Sequence, residues 1–98
     1  MSLLVSFRRS AQSEFIEAAA WYEARRPRLG AEFIAEIDRC IALAAEQPLL
    51  YAVIHNGIRR VVATRFPYSI YYRVEPNRMV VLAVFHASRN PFIWQQRD

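Results

Sequence analysis

The sequence predicts an α+β fold in which an antiparallel helical hairpin covers one face of a mostly antiparallel sheet. Three observations predict it. From Ser10 to Gln47 the chain carries helix-forming residues, with apolar side chains recurring at spacings of three and four. From Ile58 to His86 it is dominated by valine, isoleucine and tyrosine, which suit a pleated surface. Proline and glycine stand at the joints between these segments. The order is strand, helix, helix and a three-stranded antiparallel β-meander, a βααβββ layout with the helices on one sheet face. The 98 residues are read as one domain, residues 1–98, large enough to bury a core.

Taken in order, "LLVSF" (Leu3–Phe7) is short, apolar and strand-like. In "SAQSEFIEAAAWYEARR", Ser10 is the expected N-cap, and Phe15, Ala19 and Tyr22 share one helical face until Pro27 stops the pattern. A second helix is expected from about Leu29. It turns Phe33, Ile37, Cys40, Ile41 and Ala44 inward, and Pro48 ends it. The short "PRLG" joint makes the two helices antiparallel neighbours. "YAVIHNG" (Tyr51–Gly57) is expected to be a loop, with a turn at Asn56-Gly57. "IRRVVATRF", "YSIYYRVE" and "MVVLAVFH" then read as strands separated at Phe66-Pro67 and Pro76-Asn77. The last is almost wholly apolar, as expected of a central strand covered on both faces.

All 13 basic residues are arginine. Residues 1–50 hold six against seven acids, a net of −1, and residues 51–98 hold seven against Glu75 and Asp98, a net of +5. A basic half of this kind suits an acidic partner or nucleic acid, and arginine suits bidentate contacts with carboxylate and phosphate. Codon drift in a GC-rich genome is the competing explanation for the absence of lysine. The one cysteine allows no internal disulfide, no apolar run has transmembrane length, and the first ten residues do not form a secretory signal; a cytoplasmic location is expected.

No metal or other cofactor is expected. His55, His86 and Cys40 lack ligand spacing, and with only Gly30 and Gly57 the chain has no phosphate-binding loop. Cys40 reads as a small core residue. The remaining candidates are arginines, tyrosines and His86. Tight turns at both breaks would pair Arg60 with Arg73, Thr64 with Ser69 and Leu82 with Tyr71, and bring His86 near Pro67. That register gathers Arg60, Thr64, Tyr71, Arg73 and His86 on one face. The arginines there either hold an anion or are neutralised by Glu75 and helix acids. His86 with Arg60, Arg65 or Arg73 has the chemistry for RNA cleavage by an internal 2′-hydroxyl: a proton-exchanging group and cations around the transition state. Alternatively His86 is a strand-end histidine bonded to the backbone. Arg89, Phe92 and Trp94 are residue types that dominate interface hot spots, or the two aromatics pack the tail over the sheet.

The ordered set Arg59-Arg60, Arg65-Phe66-Pro67-Tyr68, Tyr72-Arg73 and His86 with Arg89-Asn90-Pro91 resembles the RelE/ParE superfamily of toxins from type II toxin–antitoxin systems. "AAAWYEARRPRLGAEFIAEID" is similar to the helical hairpin of the ParE branch. The resemblance covers nearly the whole chain and implies the toxin fold and a cognate antitoxin whose C-terminal segment wraps the toxin. It also implies a role in plasmid or chromosomal stabilisation, as a homodimer or a heterotetramer with antitoxin. ParE-like members poison DNA gyrase; RelE-like members are ribosome-dependent mRNA endoribonucleases. The absence of lysine, Ala87 after His86 and the "WYEARRPRLG" hairpin favour the gyrase-directed branch and a non-enzymatic toxin, although Asn90 stands where Asp is more usual. On this reading Arg59, Arg60, Arg73, Arg89, Phe92 and Trp94 bind partners. On the nuclease reading His86, Arg60, Arg65 and Arg73 are catalytic. A non-toxic member that only binds antitoxin is the third alternative.

Overall fold

A computed structural model describes residues 2–97. The order is β1 (Leu4–Phe7), α1 (Arg9–Arg25), α2 (Leu29–Glu46), β2 (Val53–His55), β3 (Ile58–Val62), β4 (Tyr68–Glu75), β5 (Arg78–His86) and a short α3 (Phe92–Gln95). The strands form one mixed sheet in the order β1-β5-β4-β3-β2, with β1 parallel to β5 and the other pairs antiparallel. The expected α+β layout stands, with two additions, the edge strand β2 and the short helix α3. Val53–His55, read from sequence as loop, is a short edge strand, because the Asn56-Gly57 turn folds it back on β3; both turn residues adopt positive φ, 44° and 78°. β5 is central, and Met79 to Phe85 are all buried, as an unbroken apolar run requires.

α1 begins one residue before the expected cap. Its N-cap is Arg8, whose N–H donates to Val81 O at 2.9 Å, so the parallel ladder passes directly into the helix. Ser10 lies inside the first turn. The joint between the helices is held by Glu23. Its Oε2 accepts from Arg28 N and its Oε1 from Gly30 N, both at 3.0 Å, and these bonds hold Arg28 in the left-handed region at φ 75°. Gly30 is buried where α1 and α2 touch: a Cβ there would lie 2.6 Å from Ala19 O and 2.9 Å from Glu23 Cβ.

The main core lies between the helices and the sheet. Phe33, Ile37, Cys40, Ile41 and Ala44 of α2 all enter it, with Ala11 and Ala18 of α1 and Val61, Ile70, Tyr72, Met79, Val81 and Val84 of the sheet. Phe33 is its centre, with ring centroids of Tyr22, Phe66 and Tyr68 at 5.0 to 5.2 Å. A second core covers the opposite sheet face: Trp94 of α3 stacks on Tyr71 at 4.0 Å, over Ile58, Val80, Leu82, Ala83 and Phe85. Glu36 is the one buried charged residue among the described residues. It receives two bonds from Arg39 and two from Thr64, through N at 2.7 Å and Oγ1 at 2.9 Å. Arg39, then the Thr64 N–H, lowers its carboxyl from the ordinary 4.5 to about 2.

Gly30→Ala inverts the usual gain from removing a helix glycine. We expect a loss of about 1–3 kcal/mol in urea unfolding, because backbone Ala19 O cannot step aside. Glu36→Gln is expected to cost about 1–3 kcal/mol at neutral pH. A depressed folded-state pKa stabilises above the unfolded value and loses that contribution as pH falls. The gap between wild type and variant in unfolding free energy therefore closes between pH 4.5 and about 2.

Candidate functional site: the cleft and tail at the end of the central strand

β1 pairs with β5 only as far as Val81, so the next part of that edge faces α1. Glu14 of α1 fills the gap. Its Oε1 accepts from Val84 N at 3.1 Å and from Arg97 at 2.9 Å, and its Oε2 accepts from Arg89 at 2.8 Å and Arg97 at 3.0 Å. Arg97 also donates to Leu82 O at 3.1 Å. Glu14 is only 13% exposed, so this is a largely desolvated carboxylate between two guanidiniums and a backbone amide. The guanidiniums of Arg89 and Arg97 also sit over the Phe85 ring, at 4.3 and 5.9 Å.

Leu82 marks a β-bulge. Tyr71 lies opposite Ala83 but Tyr72 opposite Val81, so one residue of β5 has no partner on β4. Between the bulge and the Pro76-Asn77 turn the pairing is that expected from a tight turn; beyond it every residue of β5 is displaced by one and changes face. His86 therefore pairs with Tyr68 and lies on the helix side, its ring 5.1 Å from the Tyr68 ring. Between β3 and β4 the connection is longer than a tight turn. Arg60 lies opposite Tyr71 and Val62 opposite Ser69, and Thr64 leaves the sheet for Glu36.

The expected grouping of Arg60, Thr64, Tyr71, Arg73 and His86 on one face is thus corrected. Arg60, Tyr71 and Arg73 lie on the face away from the helices, and His86 and Thr64 lie on the helix side. Arg65 pairs with Glu32 at 2.7 Å. Arg59 donates to the carbonyls of Leu49 and Tyr51 and braces the segment before β2. Arg89 is held by Glu14. Trp94 is 3% exposed and packs, while Phe92 is 59% exposed. At His86 the backbone N–H of Ser88 donates to Nδ1 at 3.0 Å, so the neutral ring carries its proton on Nε2. Nε2 is then a donor, not a base.

Beside His86 opens a cleft of about 540 Å³ between α1 and the ends of β4 and β5, with Glu14, Glu17, Trp21, Tyr22, Tyr68, His86 and Arg89 in its walls. No α1 residue is among the candidate site residues that the sequence offers. The signal is there: Glu14, Glu17, Ala18 and Trp21 recur at spacings of three and four, a second helical stripe beside the core-facing one. Among the described residues no group of three or more His, Cys, Asp or Glu could hold a metal ion, and no helix is long and apolar enough to cross a membrane.

This hairpin-on-sheet architecture is that of toxins from toxin–antitoxin pairs. The chain superposes on a chain of the chromosomal ParDE TA system from P. aeruginosa with a TM-score of 0.77 at 15% identity, covering 89% of this chain and 98% of the other. It superposes on a chain of the toxin–antitoxin complex RelBE2 from Mycobacterium tuberculosis with a TM-score of 0.60 at 21% identity, covering 88% and 99%. No curated protein matches the sequence. The family model of the ParE toxin of the type II toxin–antitoxin system, parDE, matches residues 5–91. The chain belongs to that family: it is a ParE toxin of a type II toxin–antitoxin system.

Glu14→Gln leaves two guanidiniums facing a neutral amide. We expect a loss of about 2–4 kcal/mol in chemical unfolding and faster tryptic cleavage after Arg89, as the C-terminal segment loses its anchor.

Proposed function

We propose that this ParE toxin acts by holding proteins rather than by cutting RNA: it poisons DNA gyrase in the cytoplasm and is neutralised by a cognate antitoxin laid on its surface. The observation that carries this reading is the dispersal of the nuclease candidates. Arg60 and Arg73 lie on one sheet face and His86 on the other, while Arg65 is paired with a helix carboxylate. Cleavage by an internal 2′-hydroxyl needs a base and cations converging on one phosphate, and His86 offers a donor at Nε2. The antitoxin partner is supported by family membership and by the two structural neighbours, which come from toxin–antitoxin systems.

The partner surface we assign is the face away from the helices and its C-terminal border. Arg60 and Phe92 are exposed, and Arg73 is half-buried on β4 between Tyr71 and the β4–β5 turn. Arg89 and Trp94 shape that surface through the carboxylate and ring contacts described above, while Arg59, opposite Tyr72, lies on the helix side and supports the sheet edge from behind. An acidic or amphipathic segment, disordered when free, matches this half of the molecule.

Purified protein is expected to trap gyrase–DNA cleavage complexes and to leave ribosome-bound mRNA intact. His86→Ala is expected to keep growth inhibition within about twofold of wild type. Ribosome-dependent mRNA cleavage lost in His86→Ala would instead establish the nuclease. Antitoxin binding without growth inhibition would establish a non-toxic member.

A further inference from the structure

The geometry points to the cleft beside α1 as a receptor for an arginine or lysine side chain presented by a protein partner. The inference goes beyond the gyrase reading and takes from it only that the occupant is a protein side chain. Four rings line the cleft, those of Trp21, Tyr22, Tyr68 and His86, with apolar surface from Ala18, Pro67 and Val84. Its volume of about 540 Å³ lies within the range of pockets that enclose a ligand group.

Charge within the cleft is graded. At the His86 end, Glu14 is shared by the guanidiniums of Arg89 and Arg97, so that end carries a net positive charge. At the other end Glu17 has no ion pair or hydrogen bond to another described residue. It stands four residues before Trp21 on the same flank of α1, so its carboxylate and the indole are neighbours. An aromatic face beside an uncommitted carboxylate selects a cation with an apolar stem. The Arg25 guanidinium already lies 4.0 Å from the Trp21 ring centroid, so the incoming cation takes the place of this exposed intramolecular one; Trp21 is 53% exposed. An incoming guanidinium or ammonium group therefore seats between Glu17 and Trp21, with its methylenes against Tyr68 and Val84. The backbone carbonyl of the same residue is placed toward the His86 end, where Nε2–H is a donor. A chain whose second half is strongly basic thus carries a cation-selective cleft on its first helix.

The test uses the full chain, ¹⁵N-labelled, titrated with Nα-acetyl-arginine amide and, separately, with the uncharged near-isostere Nα-acetyl-citrulline amide. The arginine compound is expected to shift the Trp21 indole and His86 ring signals saturably while the buried Trp94 indole stays in place. Citrulline should bind at least about fivefold more weakly. Glu17→Gln, which removes no described contact, should weaken arginine binding about three- to fivefold and leave the fold's spectrum unchanged. Equal binding of citrulline, indifference to Glu17→Gln, or no saturable shift at Trp21 overturns the proposal. Neither gyrase nor antitoxin is present, so failure here leaves the toxin reading standing, and failure of gyrase trapping leaves the cleft standing.

Discussion

The carboxylate of Glu14 is the fixed point on which this end of the molecule depends. One side chain satisfies the β5 amide that β1 is too short to reach, and it draws Arg89 and Arg97 back onto the sheet. A buried backbone N–H without an acceptor and two unpaired guanidiniums would each cost free energy; a single two-oxygen acceptor removes all three penalties. Through Arg97 the same cluster reaches Leu82 O in the bulge, so the bulge, the first helix and the C-terminal segment are fixed together.

Glu14 is one of three helix carboxylates that work in this way. Glu23 accepts two N–H groups of the hairpin joint, and Glu36 accepts the Thr64 amide where β3 leaves the sheet. Each ties a helix to backbone N–H groups outside that helix. Each also lies in the acidic first half of the chain, and Glu14 and Glu32 neutralise Arg89, Arg97 and Arg65 of the basic second half. Part of the charge asymmetry is therefore internal: acids on the helices meet arginines on the sheet and tail. Of the arginines in the second half, Arg60 and Arg73 lie on the face opposite the helices.

That distribution bears on function. Family membership comes from the ordered pattern of the chain, while the difference between cutting RNA and holding a protein lies in where side chains converge. The arginines are spread over two sheet faces and into ion pairs, and the strand-end histidine is fixed by the backbone of the turn that follows it. The aromatic cleft along α1 joins His86, Arg89 and Tyr68 of that pattern to Glu14, Glu17, Trp21 and Tyr22 of the first helix, which lie outside it.

The sequence by itself determined the two long helices, the strands β1, β3, β4 and β5, and their burial. Spacings of three and four placed Phe33, Ile37, Cys40, Ile41 and Ala44 in the core, and the apolar run of β5 made it the covered central strand, because helix period and burial are local properties of the chain. The family pattern was legible for the same reason. Only the tertiary structure decided which face each candidate residue occupies. Side chains alternate along a strand, so one extra residue at Leu82 carries His86 to the other side of the sheet. That bulge is held by Arg97, 15 residues away, and by Glu14, 70 residues from the Val84 amide it binds. Register, and with it the make-up of the site, rests on partners that no local pattern in the sequence brings together.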